Sequence, residues 1–461
     1  MLFSGIPFLY YFLPVVMACY FLAPKGLKNT VLLLFSLVFY AWGEPKFVLL
    51  MAVTIAAFYG CGLAIERAKT NGWRKCWLWT SVLVGVGFLA VFKYADFFID
   101  SFNKATGLGL PLLHLALPIG ISFYTFQSLS YTIDVYRKKV PAQKNFIHFA
   151  AYVTLFPQLI AGPIVRYADV NRALESRTHS WEDALYGVRR FLLGLGKKVL
   201  IADQFALLIK LFRESADPSV LFYWMYAIAF MLSIYFDFSG YSDMAIGLGR
   251  IFGFHFGENF NYPYISKSVT EFWRRWHISL GSWFRDYVYI PMGGNRVGKG
   301  RWVLNILTVW LLTGLWHGAA WNFVLWGLLF AAALLAEKWI PALQKLPNVL
   351  RHGYVLLLVC ISFVLFNAES LAQAGSDLQG MFGLAKLPAV TSETLYYLKS
   401  FAVLFIVGIL GATPVVKGAA ERVSGTRIGA VLEMLVLILL LLVSTAYLVD
   451  GSFSPFLYFR F

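Results

Sequence analysis

Apolar residues run through this chain in blocks of about 20, the length of helix that crosses the hydrocarbon core of a bilayer. The blocks lie near 3–22, 30–43, 47–65, 77–95, 111–133, 147–165, 219–254, 302–336, 353–368, 401–416 and 429–449. Several are interrupted or overlong, so the pattern predicts an all-α polytopic membrane protein with about 11–13 transmembrane or re-entrant helices. No repeat, low-complexity linker or separate soluble stretch interrupts them. The whole of 1–461 reads as one transmembrane domain. It comprises N-terminal spans over 1–135, a core of interfacial helices and histidine motifs over 136–336, and C-terminal spans over 337–461.

Composition agrees with the pattern. Charged residues are 14% of the 461 and the apolar set is 59%, too few charges to clothe a water-facing surface of this size. Disorder and a disulfide-rich secreted scaffold are excluded by the same figures. The net charge of +15 would suggest nucleic acid in a soluble protein; here it reads as basic loops retained on the cytoplasmic side, with no nucleic-acid partner. Lys25/Lys28, Arg67–Lys75 and Arg137–Lys144 fall in alternate loops, as do Lys338–Arg351 and Lys417–Arg427 nearer the C-terminus. Threading from both ends places 261–301, with a net charge of +5, in the cytoplasm. Residues 166–218 have mixed charge and an interfacial pattern. The first basic residues follow the first apolar run, so 1–23 reads as a retained span rather than a cleaved signal. Cys19, Cys61, Cys76 and Cys360 are scattered, with neither zinc nor disulfide spacing, and no metal site is expected.

Three segments carry candidate chemistry. In 268–287 (SVTEFWRRWHISLGSWFRDY), Ser268 and Glu271 form a capping-box signature, and Trp273, Trp276, Leu280, Trp283 and Phe284 line one apolar face. One basic, Trp-rich amphipathic helix is predicted here, either an interfacial anchor or part of a site. His277 shares the inward stripe, while Arg274, Arg275 and Arg285 lie largely elsewhere. The 35 residues of 302–336 are too long for one span and short of two. A hairpin of short helices is predicted, bending near 314–320, its tip held within the membrane's depth. His317 would sit at that tip beside Trp316 and Gly318, with Asn322 close by. Such a histidine is either a hydrogen-bonded packing residue or part of a site, and an ionisable group at membrane depth favours the site. In 233–264, Asp237, Asp243, Arg250 and four glycines interrupt an apolar run, which predicts a broken or re-entrant piece lining a cavity. Gly247-Leu248-Gly249 lacks the context of a phosphate loop.

No Ser/His/Asp order, paired carboxylates or HExxH pattern is present, so any chemistry rests on histidine. A neutral imidazole can deprotonate a hydroxyl as it attacks an activated acyl group, and asparagine or backbone N–H groups can hold the oxyanion.

These same residues resemble the membrane-bound O-acyltransferase family, and within it the bacterial alginate O-acetylation branch. The motifs are 235–243 (YFDFSGYSD), 258–264 (ENFNYPY), 270–277 (TEFWRRWH), 286–296 (DYVYIPMGGNR), 314–321 (GLWHGAAW), 455–461 (PFLYFRF), and Gly196-Lys197-Lys198 with Ala202-Asp203. The resemblance implies that His317 is the catalytic histidine and that His277 is the family's second recurrent one, catalytic or positional. It implies helices around a central funnel, with Asp237, Asp243, Asn259, Trp316 and Asn322 as lining candidates. Arg274, Arg275, Arg285 and Arg296 are candidates for holding the donor, although the positive-inside rule accounts for them equally. The implied donor is cytoplasmic acetyl-CoA, with no bound cofactor. The acetyl group would pass to an extracytoplasmic SGNH-hydrolase-like acetyltransferase or to the polysaccharide itself, across a bacterial cytoplasmic membrane. The branch's further Tyr-His-Gly is missing, since Trp326-Gly327-Leu328 runs on as Leu329-Phe330-Ala331. The competing expectation is a transporter of polysaccharide or lipid-linked sugar without acyl transfer, which broken helices with buried charges would suit.

Overall fold

The computed structural model describes residue 1 and residues 3–451, so the 455–461 motif lies outside the described residues. All regular structure among them is helical. Among the described residues, eight helical segments are long and apolar enough to cross a membrane: Lys25–Gly43, Pro45–Arg67, Asn71–Thr106, Val220–Ile251, Trp321–Trp339, Asn348–Asn367, Ser392–Gly411 and Arg427–Val449. Phe8–Leu22 is a shorter apolar helix.

Several expected blocks change shape. The 77–95 block extends to the 36-residue helix Asn71–Thr106. The Asp96 carboxylate accepts the backbone N–H groups of Leu113 and His114, which anchors the non-helical 107–118 against this helix. The 111–133 block forms a helix only over Ile121–Tyr136. The 147–165 block yields Phe146–Thr154 and Phe156–Leu159, because the chain turns at Leu155 ahead of Phe156-Pro157, where proline disfavours continued helix.

The residues group into two compact units, each discontinuous in sequence. The first unit comprises Met1–Phe191 and Ser242–Gly257. Its centre is the Ile121–Tyr136 helix, buried nearly all round although it carries Ser122, Thr125, Gln127, Ser128, Ser130 and Thr132. Tyr20, Asn29 and Arg177 form a second polar knot, with Arg177 donating to the Tyr20 hydroxyl and to Asn29 Oδ1 at 2.7 Å each.

The second unit comprises Leu192–Tyr241 and Glu258–Phe461. Its core is aromatic: Phe272, Trp276, Trp310, Trp326, Phe330, Phe363 and Phe366 are all buried in one cluster. Burial of one aromatic side chain removes roughly 150–250 Å² from solvent or lipid and leaves rings in edge-to-face contact. Trp273 meets Trp310 and Phe330 in this way, with ring centres 4.7 and 4.8 Å apart.

The expected break within 233–264 is corrected. Val220–Ile251 is one 32-residue helix, and the chain leaves it only after Ile251, turning at Gly253 with φ 80°. Its charged residues are neutralised by neighbours instead of breaking it. In the second unit Lys198 lies 2.8 Å from Asp237 and 2.7 Å from Asp203. In the first unit Arg190 pairs with Asp243 at 2.7 Å, and Arg250 with Asp183 at 2.8 Å. The glycines serve close backbone approach, since a Cβ on Gly247 would stand 2.5 Å from the Gly187 carbonyl oxygen.

Candidate active site

The 302–336 block is a hairpin, as its length demanded. The first helix is Lys299–His317, residues 318–320 turn, and the second is Trp321–Trp339. The helices are longer than expected, because each runs beyond the apolar block. At 19 residues apiece they measure about 28 Å, close to a full hydrocarbon thickness rather than short re-entrant pieces. Glycines let the two helices touch: a Cβ on Gly314 would overlap the Phe323 carbonyl, and one on Gly327 would overlap that of Trp310.

His317 is the last residue of the first helix and is 5% exposed. Its imidazole lies in an aromatic box, with ring centres 5.0 Å from Trp316, 5.0 Å from Trp326 and 5.3 Å from Phe366. Trp326 Nε1 is buried there without a hydrogen-bond partner. Asn322 Nδ2 donates to the carbonyl of Ala368 at 2.9 Å and that of Phe366 at 3.5 Å. That amide therefore ties the hairpin to the end of the Asn348–Asn367 helix, which brings Phe366 against His317.

The 268–287 segment departs from the single helix expected. Ser268 caps it, its hydroxyl accepting the Glu271 N–H, and Glu271 accepts the N–H of Lys267 rather than that of Ser268. Helix Val269–Arg275 then stops, and Ile278–Phe284 starts a new one. Between them Trp276 is extended and His277 is left-handed, with φ 44° and ψ 55°. A left-handed backbone at a bulky residue costs about 1–2 kcal/mol and survives only where its surroundings impose it. The 258–264 segment does so: the Ile278 N–H donates to the Asn259 carbonyl at 2.9 Å, and the Asn261 N–H to that of Arg275 at 2.9 Å. These bonds replace helical ones.

The kink turns His277 inward, where it is 1% exposed. Its ring centre lies 4.7 Å from Phe238 and 5.6 Å from Trp316. Trp316 thus touches both histidines. Nδ1 faces Asn259 Oδ1 at 3.1 Å, and Nε2 is buried without a hydrogen-bond partner. Burial pushes the imidazole down to about 3, so the ring is neutral at pH 7. Glu337, on the second helix of the hairpin, reaches the start of the Val269–Arg275 helix. Its carboxylate accepts the N–H groups of Val269 at 2.6 Å and Thr270 at 3.2 Å. A negative charge there complements the helix dipole and couples the two histidine-bearing elements.

The remaining candidates separate. Asp237 belongs to the buried Lys198–Asp203–Asp237 triad, where burial raises Asp203 to about 7. Burial works against charge on Lys198, but the two carboxylates outweigh it and raise its pKa. Asp243 is held by Arg190 in the first unit. Arg275 and Arg285 pair with Glu271 and Asp286 at 3.0 and 2.7 Å, while Arg274 and Arg296 are exposed. Among the described residues no three His, Cys, Asp or Glu side chains converge to hold a metal ion. Glu337, Trp326, Phe366 and Ser279 escaped the sequence reading.

Comparison with known proteins covers the same elements. Residues 34–368 match the membrane-bound O-acyltransferase family. The chain is 41% identical to a probable alginate O-acetylase of Azotobacter vinelandii over the full length of both. It is 45% identical to a probable alginate O-acetylase of Pseudomonas aeruginosa, over 83% of this chain and 75% of that protein. It is also 34% identical to the peptidoglycan O-acetyltransferase of Helicobacter pylori, over 83% and 80% of the two chains. The matched segment contains the kinked His277 helix pair and the His317 hairpin. The chain belongs to the membrane-bound O-acyltransferase family.

Proposed function

We propose that this membrane acyltransferase takes an acetyl group from cytoplasmic acetyl-CoA and delivers it across the bacterial cytoplasmic membrane for O-acetylation of an exopolysaccharide. The acceptor polymer is alginate or alginate-like, reached through an extracytoplasmic SGNH-type partner. The observation that carries the reading is His317 at the tip of a membrane-length hairpin, boxed by Trp316, Trp326 and Phe366. Two relatives named as probable alginate O-acetylases support the polymer class.

In this reaction His317 takes the proton of the acceptor hydroxyl as its oxygen bonds to the thioester carbonyl carbon. The carbon–sulfur bond then breaks, and the proton returns to the departing thiolate. The aromatic box keeps water from the acyl carbon. Asn322 is committed to the 366 and 368 carbonyls, so the oxyanion donors are other N–H groups, Trp326 Nε1–H being a buried candidate without a hydrogen-bond partner among the described residues. Exposed Arg274 and Arg296 are the donor-binding candidates without a carboxylate partner among the described residues, and they suit the CoA phosphates. Transport without acyl transfer loses its main support, because the helix through Asp237 and Asp243 is continuous.

The test is purified protein in proteoliposomes with labelled acetyl-CoA. Transfer or hydrolysis should occur with wild type and vanish with a folded His317→Ala variant. Label turnover surviving in that variant would overturn the assignment.

A further inference from the structure

The role of His277 turns on which of its nitrogens carries the proton, and the surrounding bonds decide this. Asn259 Oδ1 receives three contacts: the Ser279 backbone N–H at 3.2 Å, the Ser279 hydroxyl at 2.8 Å and His277 Nδ1 at 3.1 Å. A backbone N–H can only donate, so the Asn259 atom it meets is the carbonyl oxygen and not the amide nitrogen. An acceptor oxygen facing Nδ1 requires that Nδ1 bear hydrogen. The neutral ring then carries its lone pair on Nε2, the atom that is buried without a hydrogen-bond partner. Asn259 is itself immobilised, because its own carbonyl accepts the Ile278 N–H at 2.9 Å and its side chain is fully buried.

We infer that Asn259 is a positioning residue. It locks His277 in the Nδ1–H tautomer and aims the Nε2 lone pair to accept a hydrogen bond from the departing thiol once His317 has returned the proton to sulfur. This assigns Asn259 to orienting the second histidine, not to lining the funnel, and makes His277 an acceptor at neutral pH. The inference rests on the acyl-transfer reading above for its activity arm only. Among the described residues, the imidazole makes ring and hydrogen-bond contacts with Phe238, Phe260, Trp316, Asn259 and Ser279, all uncharged. His317 follows Trp316 in the chain, and Glu258, next to Asn259, is exposed.

Two measurements test it. The first is nitrogen NMR of histidine-labelled protein in nanodiscs, with the His277 signals identified by their loss in His277→Gln. The expected result is a protonated Nδ1 and a bare Nε2 in wild type, with the two tautomers mixed in Asn259→Ala. A wild-type ring protonated at Nε2 would overturn the inference, whether or not acyl transfer is observed. The second is the pH profile of acetyl transfer. Asn259→Ala should lose about 10- to 100-fold in rate, the usual effect of removing an orienting partner. Asn259→Asp restores the acceptor and adds a charge that stabilises the imidazolium, so its acid limb should move to higher pH. A folded Asn259→Asp variant whose rate falls equally at every pH would reduce Asn259 to a structural residue. If wild type shows no acyl transfer at all, the functional proposal fails, and the tautomer measurement alone decides this one.

Discussion

Replacing Gly327 with alanine probes the hairpin that carries His317 without touching either histidine. A methyl at this position would overlap the Trp310 carbonyl oxygen, reach 3.2 Å from its carbon, and stand 3.4 Å from the Gly314 Cα. Carbonyl carbon and oxygen belong to helix backbone, so no side-chain rotation relieves the clash. The two helices must part by something on the order of 1 Å, a displacement that can cost about 100-fold in rate when it reaches reacting groups. It does reach them here. Trp326, next to Gly327, forms one wall of the box around His317, and Gly314 lies one turn below that histidine. Overpacking of this kind also costs about 1–3 kcal/mol of stability. The assay is acetyl-transfer rate alongside thermal unfolding in detergent. The expected variant folds, melts a few degrees lower and loses about 100-fold in turnover. Gly353→Ala is the control, since its Cβ would meet nothing within 4 Å. Wild-type turnover and melting in Gly327→Ala would refute the close-packed hairpin as the frame of the site.

Three further outcomes are expected. Lys198→Met leaves Asp203 and Asp237 buried without their cation and should destabilise the protein by about 3–5 kcal/mol, whereas adding Asp203→Asn and Asp237→Asn should recover much of that loss. Glu337→Ala strands the N–H groups of Val269 and Thr270, at roughly 1–3 kcal/mol each, and should lower both melting temperature and turnover; Glu337→Gln should lose less. His277, held down to about 3 by burial, contributes stability that is complete above its ordinary value near 6.5 and is lost as pH falls toward 3. That contribution is at most on the order of 5 kcal/mol, and His277→Asn should flatten the melting-temperature profile between pH 6.5 and pH 3 if the reasoning holds.

Hydrophobic run length and charge placement are local properties, and they were enough to read a polytopic helical protein, the 302–336 hairpin and the inward face of His277. The hairpin was legible because the 35-residue block 302–336 is too long for one span, and because Gly318 marks the bend. Other expectations failed where a distant partner outweighed the local pattern. Asp237 and Asp243 looked like helix interruptions, but Lys198 and Arg190 neutralise them and the helix runs on to Ile251. The 268–287 periodicity described one amphipathic helix, yet Asn259 and Asn261 capture the backbone at 275–278 and break it. Asn322, a lining candidate, donates to the Phe366 and Ala368 carbonyls at the end of the Asn348–Asn367 helix.

The sequence by itself determined the membrane class, the hairpin and the inward face of His277, because hydropathy, glycine placement and motif spacing act over tens of residues at most. Only the tertiary structure decided that Trp316 touches both imidazoles, that Glu337 couples their helices, and that the Asn259 carbonyl oxygen faces Nδ1 of His277. Those outcomes depend on hydrogen bonds and ring contacts between groups 18 to 68 residues apart, whose geometry exists only once the chain has folded.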